Sequence, residues 1–155
     1  MLSPSLTAGE VCTRIVAIAH PTLAIGEAAR VMREQQVGSL VVVEDLAPQD
    51  RRVVGMLTDR DIALGVVAAQ ADPQNLRVAD LMSRDVVTAR EADSILEVLA
   101  TMRRKAVRRV PVVGPHERLI GIVAIDDLLA IVAEQMQALA AAVGAAQHHE
   151  QRVAR

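Results

Sequence analysis

The chain has 155 residues, of which 52% are hydrophobic and none is Phe, Tyr or Trp, and its formal net charge is −2. This length suits one compact domain or two small halves that share a core, and the low net charge excludes a strong general attraction to nucleic acid or acidic membranes. The single cysteine, Cys12, excludes an intrachain disulfide and fits a reducing compartment.

We also expect no membrane partner, because no apolar run looks long enough to span a bilayer. Residues 1–10 lack the charged-then-apolar layout of a signal peptide. These two features predict a cytoplasmic protein.

The first half of the chain alternates between helical and strand patterns. Helix 22–36 is predicted from Ile25, Ala28 and Met32 at helical spacing, and Gly38 is expected to end it. In chain order the predicted elements are a helical turn at 7–12, an extended segment at 15–18, a helix at 22–36, a strand at 39–43, a polar loop at 44–52, a strand at 53–57, a helix at 58–70 and a linker at 71–74.

The second half repeats that order and then continues into a longer helix. Its predicted elements are a helical turn at 78–82, an extended segment at 86–88, a helix at 92–105, a strand at 109–113, a turn at 114–118, a strand at 119–123 and a helix from 125 onward. The last helix carries an apolar stripe that outruns its counterpart. We expect this stripe to make dimer contacts or to pack back over the domain. The stripe consists of Leu128, Leu129, Val132, Met136, Leu139 and Val143.

Internal matches show that one sequence unit occurs twice in the chain. Val42 matches Val112 at a shift of 70 positions, and Gly55 matches Gly121 at a shift of 66. The shift changes in the turn between two strands, where differences in length are tolerated. The chain is therefore predicted to be a duplicated structural unit.

The most informative stretch is 53–62, where a buried strand turns directly into a helix. Thr58 and Asp61 have the Thr-x-x-acid spacing of a helix N-terminus. Such a corner presents free N–H groups and the positive end of the helix dipole, which favour an anion. Helix capping alone accounts for the same two residues, so the motif by itself leaves both interpretations open.

These features resemble a tandem pair of cystathionine-β-synthase (CBS) domains over about residues 10–136. The resemblance rests on "VGSLVVVED…VVGMLTDRDI", "LMSRDVVTAREADSILEVLATM" and "VRRVPVVGPHERLIGIVAIDDLL". It implies an α/β (α+β) fold of two repeats related by a pseudo-twofold axis, with a cleft on each side. The expected units are repeat 1 at 8–70, repeat 2 at 75–136 and a C-terminal helical extension at 137–155.

The family typically binds adenine nucleotides or related adenosine compounds in these clefts. By that resemblance, Thr58 and Asp61 contact ribose and phosphate, and Arg60 between them adds positive charge. In the second copy Ala124 replaces the threonine while Asp127 is retained. We therefore expect unequal sites, with the first one tighter or the only one used.

A basic cluster precedes the Val110-Pro111 pair of the second repeat. In the family, basic residues at this place often reach phosphate, and Arg108 and Arg109 occupy it here. The corresponding residues of the first repeat, Gly38 and Ser39, are uncharged. A solvated helix end explains the same cluster, and nucleic-acid binding is disfavoured because the chain has no aromatic side chain for base stacking. The full cluster is Arg103, Arg104, Lys105, Arg108 and Arg109.

An adenine ring in this protein has to lie between aliphatic side chains. We expect it to lie against strand residues of either half, although each of them alone is also explained as a core residue. The candidates are Val16, Ile18 and Leu40 in the first half and Val86, Thr88 and Val110 in the second. Ser39 and Pro111, beside them in the strands, are further predicted ligand contacts.

No nucleophile–base pair, phosphate-binding glycine loop or zinc pattern is recognisable, so no enzyme activity, metal or required cofactor is predicted. The leading hypothesis is a homodimeric sensor of AMP, ADP, ATP or another adenosyl compound that acts on an unknown protein partner. A dimeric interaction scaffold with empty clefts is the alternative, and a nucleic-acid binder is the third.

Overall fold

The computed structural model describes residues 6–153, which form two three-stranded sheets with helices packed on them. The first half contains α1 (Ala8–Val11), β1 (Ile18–Ala19), α2 (Ile25–Gln35), β2 (Ser39–Ala47), β3 (Asp50–Thr58) and α3 (Asp59–Ile62), which continues as a π-helical turn (Ala63–Ala68). The second half contains α4 (Val78–Leu81), β4 (Ala89–Arg90), α5 (Ile95–Lys105), β5 (Arg109–Val113), a 3₁₀ turn (Pro115–Glu117), β6 (Leu119–Ala124) and α6 (Ile125–Val153). The predicted α/β fold with two repeats and a long last helix is confirmed.

The two sheets share one topology and one register. Each has a short strand parallel to the central strand, which pairs antiparallel with the third. Val42 pairs with Gly55 and Val112 pairs with Gly121, and in both ladders the register shifts directly after that pair. Both shifts expected from the sequence, 70 and 66, are thus present in the strand pairing.

The two halves exchange their short helices. Val78 of α4 and the adjacent Met82 are buried in the core of the first sheet, together with Leu40 and Leu57. Conversely, Ala8 of α1 is fully buried in the core of the second sheet. Each sheet is therefore covered by the short helix that begins the other sequence repeat.

The exchanged segments lie directly against glycines of the third strands. A Cβ at Gly55 would lie 3.0 Å from the carbonyl oxygen of Ser83, and one at Gly121 would lie 2.8 Å from that of Thr13. Ser83 also exchanges two backbone hydrogen bonds with Met56, of 2.8 and 2.9 Å. Glycine is needed at both positions because backbone lies where a side chain would begin.

A third apolar cluster joins the two sheets. It includes Val41 and Val43 of β2, Val53 of β3 and Val113 of β5. The alternate side of β2 faces the first core, so this strand is buried on both faces, as its run of valines predicts.

The predicted polar loop at 44–52 is wrong. β2 continues to Ala47 and β3 begins at Asp50, which leaves a tight turn. The hairpin extends beyond the core, so its side chains are largely exposed and charged pairs replace apolar packing. One such pair joins the Arg52 guanidinium to the Glu44 carboxylate at 2.7 Å.

Several predicted element boundaries also differ. Ile15 is 93% exposed, and the first strand is confined to Ile18–Ala19. α2 begins later than the predicted helix: its N-cap is Ala24, and the Ile25 N–H donates a hydrogen bond to the Leu76 carbonyl at 2.9 Å. The helix ends in a left-handed residue, Gln36, two positions before the glycine expected to end it.

In the second half, the predicted extended segment at 86–88 lies before the actual strand. The strand is Ala89–Arg90, because these are the residues that pair with β5. The helix predicted at 58–70 begins as expected after Thr58, but its second part is π-helical.

The expectation that no apolar run is long enough to span a membrane is wrong, because the last helix has the required length and composition. Within α6, residues Ile125–His149 are long and apolar enough to cross a bilayer, and only 6% of the most apolar window is buried. Gly144 does not end this helix, which continues to Val153.

We expect Gly55→Ala and Gly121→Ala each to destabilise the fold by about 1–3 kcal/mol, because the added methyl group meets backbone that cannot rotate away. The free energy of unfolding from urea titration measures the effect.

The control is Gly144→Ala. Nothing lies within 4 Å of a Cβ at this helical position. This substitution should leave stability unchanged or raise it by up to about 1 kcal/mol, because alanine favours helix more than glycine. Equal destabilisation by all three substitutions would contradict the close-approach explanation.

Candidate functional site

The corner between β3 and α3 is a complete capping box. The Thr58 hydroxyl oxygen accepts a hydrogen bond from the Asp61 amide at 3.1 Å. The Asp61 carboxylate accepts bonds from the Thr58 amide and hydroxyl, both at 2.8 Å. Capping is therefore a real role of these two half-buried residues. It does not exclude a second role, because both also line a cavity.

That cavity has a volume of about 840 Å³ and lies between the two halves. The corner of the first half forms one wall, and two segments of the second half form the other. A volume of this size is within the usual range for small-molecule sites. The lining residues are Gly38, Ser39, Met56, Thr58, Asp59, Arg60 and Asp61 from the first half and Ser83, Asp85, Val86, Val87, Ala106, Val107, Arg108 and Arg109 from the second.

Arginines from both halves converge on this cavity. Arg60 comes from the corner of the first half, whereas Arg108 and Arg109 come from the start of β5. All three are exposed. The Arg108 guanidinium lies 3.5 Å from the Asp126 carboxylate, but its side chain is 76% exposed and remains accessible.

The cavity also has aspartates and an apolar part. Its carboxylates are Asp59, Asp61 and Asp85, so the charges of the lining balance. Half-buried Val86 and Val87 add aliphatic surface. This lining can hold a flat apolar ring at one end and anionic and hydroxyl groups at the other.

The cavity gathers half of the residues that the sequence analysis singled out. Their common feature is a position at a strand end or immediately beside one. They are Ser39, Thr58, Arg60, Asp61, Val86, Arg108 and Arg109.

Three of the other candidates are buried rather than exposed to the cavity. Leu40 and Val110 have no exposed surface and lie in the first and second core. Pro111 is buried beside them in β5, and half-buried Thr88 is not part of the cavity lining. Because the central strands are covered on both faces, their side chains are used for packing.

Val16 and Ile18 line a different and smaller cavity of about 280 Å³, near Arg14 and Arg51. Asp127 is exposed in the first turn of α6. The candidates from the first extended segment and from the second corner are therefore not brought to the main cavity.

Sequence reasoning missed Met56, Asp59, Ser83, Asp85 and Val87. Asp59 directly follows Thr58, so it could have been recognised from its place in the motif. Ser83 and Asp85 follow the short helix α4, and only its exchange between the halves places them against the corner.

The second corner has a different set of side chains. Its capping position is Ala124, so the hydroxyl is missing. Asp126 stands where Arg60 stands in the first corner, with the opposite charge. The Ile125 amide donates to the Arg108 carbonyl at 2.9 Å, as the Asp59 amide does to Gly38 at 3.0 Å. The two corners thus share a backbone but differ in chemistry.

Comparison with known proteins identifies the family. The family model for the CBS domain matches residues 8–67 and 78–134. The chain belongs to the CBS-domain family and contains two such domains.

Two relatives illustrate the range of similarity. Hypoxic response protein 1 of Mycobacterium tuberculosis is 44% identical over 110 residues, which is 70% of this chain and 71% of that protein. An uncharacterized protein of Methanopyrus kandleri is 35% identical over 127 residues, 82% of this chain. The match spans 63% of that relative's own length.

Solved structures show the same fold. A CBS domain pair of protein MJ0100, in complex with 5′-methylthioadenosine and S-adenosyl-L-methionine, superimposes with a TM-score of 0.70 at 25% identity and covers 81% of this chain and 98% of that one. Hypoxic Response Protein I, with two coordinated zinc ions, gives a TM-score of 0.70 at 33% identity, with 80% and 97% covered. Within residues 6–153 of the present chain, no group of three or more His, Cys, Asp or Glu side chains is placed to hold a metal.

We expect Thr58→Ala to cost about 1 kcal/mol of stability without any ligand, because the α3 cap is lost. Ala124→Thr should stabilise by up to the same amount, because Asp127 already occupies the third helical position of a capping box. Urea unfolding of both variants measures the changes. A loss of stability in Ala124→Thr would show that the second corner cannot accept the hydroxyl.

Proposed function

We propose that this CBS pair is a regulatory sensor that binds a phosphate-bearing adenosine compound in the cavity between its halves and has no catalytic activity of its own. The observation that carries the proposal is the composition of that cavity. A hydroxyl–carboxylate corner from one half faces a pair of arginines from the other across a space of nucleotide size.

Each part of such a ligand has a suitable partner. The Asp61 carboxylate accepts ribose hydroxyl groups at the corner where α3 begins. Arg60 and Arg109 provide charge-assisted bonds for phosphate oxygens. Val86 and Val87 provide the apolar surface for adenine, since the chain contains no aromatic residue.

The placement of the arginines in the lining favours an anionic ligand, although Asp59, Asp61 and Asp85 balance their formal charge. The MJ0100 pair binds 5′-methylthioadenosine and S-adenosyl-L-methionine, which have no phosphate. Here three arginines reach the cavity from two directions. We therefore rank AMP, ADP and ATP above other adenosyl compounds for this chain.

The ligand would act by bridging the two halves. A compound that contacts Asp61 on one side and Arg109 on the other favours the relative orientation in which both contacts form, and shifts the population by its difference in affinity. We propose that the repeats at 8–70 and 75–136 transmit this change to a protein partner in the cytoplasm, within a homodimer.

A ligand-free scaffold is the second candidate, supported by exposed apolar side chains. Leu64, Val67 and Leu96 are 54%, 76% and 69% exposed on helices outside the cavity. Such residues are suited to contacts between proteins.

Thermal unfolding with added ligand separates the two functions. A nucleotide at 100 times its dissociation constant should stabilise the fold by about 2.7 kcal/mol. The screen compares AMP, ADP, ATP, S-adenosyl-L-methionine, adenosine and inorganic phosphate. Flat responses to every adenosine compound would support the scaffold.

Calorimetric titration of Arg109→Ala tests the phosphate contact. The substitution should weaken AMP binding by about 10- to 100-fold, because a charge-assisted bond contributes about 1.5–3 kcal/mol. Adenosine binding should change much less.

The matched control is Arg104→Ala, which removes the same charge from the end of α5. Arg104 is exposed and does not line the cavity. Equal weakening of AMP binding in both variants would indicate a general field effect and count against a direct contact of Arg109.

A further inference from the structure

The last helix has an exposed apolar stripe with a regular spacing. Its members are separated by three, four, three and four residues, and Ala146 continues the spacing by three. They are Leu129, Val132, Met136, Leu139 and Val143, with exposed fractions of 67%, 39%, 66%, 67% and 52%. We call these five residues and Ala146 the heptad stripe.

The stripe begins beside the face that α6 uses for its own domain. Leu128 is fully buried in the second core, and Ile131 packs against it. The helix therefore packs on its domain through its first two turns and continues beyond it, which leaves the heptad stripe exposed. A stripe with a mean period of 3.5 residues matches the packing of two supercoiled helices, whereas a straight amphipathic helix follows 3.6.

We propose that the heptad stripe pairs with the same stripe of a second copy of this chain, as an antiparallel two-stranded coiled coil. Three features favour a second copy as the partner of the stripe: the available area, the small side chains beside it and the charges along the helix. The assignment does not depend on the ligand of the cavity.

The area is sufficient for a stable dimer. The 25 residues Ile125–His149 form a helix about 37 Å long, and half the surface of such a cylinder is on the order of 600 Å². Two copies bury at most about 1,200 Å², because part of the first turns packs on the helix's own domain, and this is the lower end of the range for specific interfaces. Ala133, Ala140 and Ala142 flank the stripe, so the two backbones can approach closely.

The charges favour the antiparallel orientation. The centre of the heptad stripe lies between residues 137 and 138, so an antiparallel pair places Asp126 and Asp127 near His149 and His148 of the second copy. All four side chains are exposed. A parallel pair would place aspartate beside aspartate, and it would also align the two helix dipoles. The antiparallel orientation thus avoids contacts between aspartates and opposes the two helix dipoles.

The same helix has the length and hydropathy of a membrane span. The middle of the helix disfavours that occupant, because Glu134, Gln135 and Gln137 lie there. These polar groups have no partners in a lipid core, whereas in a coiled coil they remain in water outside the stripe.

Sedimentation equilibrium of the full chain tests the pairing. The unmodified protein should have the mass of two chains, and Met136→Glu combined with Leu139→Glu should have the mass of one. The matched control is Ala141→Glu combined with Ala145→Glu, which places the same two charges on the opposite, exposed face and should remain dimeric. Thermal unfolding of each variant verifies that the domain is still folded.

Three results would overturn the assignment. The first is a dimer that persists in the double variant but dissociates with Val67→Glu or Leu96→Glu, which would place the interface on the other exposed apolar residues. The second is an unmodified protein that is monomeric. The third is flotation of the protein with phosphatidylcholine vesicles, which would favour the membrane.

Disulfide cross-linking tests the orientation in a Cys12→Ala background. Leu129→Cys combined with Ala146→Cys should form disulfides between chains, because these positions face each other in the antiparallel pair. Ala146→Cys alone should not cross-link. Efficient cross-linking of that single variant would show a parallel pair.

Discussion

The fold depends on two places where backbone lies against backbone. The segments after α1 and α4 cross over Gly121 and Gly55 of the opposite half, so close that a methyl group would meet a carbonyl oxygen. This contact also makes the cavity. The segment that crosses Gly55 contains Ser83, and the residues that follow it form the second wall, opposite the corner at Thr58. A packing constraint of the core therefore sets the width of the candidate site.

Duplication gave the two corners the same backbone, and substitution has since separated their charges. In the first corner the helix carries Arg60 and the neighbouring strand start is uncharged Gly38. In the second corner the helix carries Asp126 and the strand start carries Arg108. Because the halves face each other, the basic residue of each pair points to the same cavity. Arginines from both halves therefore meet at one cleft, where three aspartates of the lining balance their charge.

Features that depend on local sequence patterns could be predicted, whereas features that depend on contacts between distant parts of the chain could not. The repeat shifts and the capping box at Thr58 follow from motifs that each occupy a few residues, and the convergence of Arg109 on the first corner was implied by the resemblance to CBS domains. The hairpin at 44–52 was missed because its charged side chains pair across strands outside the core, so composition resembled a loop. Leu40 was expected at a ligand but lies in the core, because both faces of β2 are covered, as its run of valines indicates. The exchange of α1 and α4 has no local signal, and it is the feature that brings Asp85 to the site.

That exchange sets an order for folding during synthesis. The core of the first sheet is drawn from one continuous stretch, from Ala17 to Met82. The core of the second sheet needs Ala8 and Val11, which precede the first sheet, together with residues up to Ile131. As the ribosome delivers the chain from its N-terminus, the first sheet can close as soon as α4 has emerged. Helix α1 has to wait for β6 before it finds its place, so it remains without its partner until the second repeat has been made.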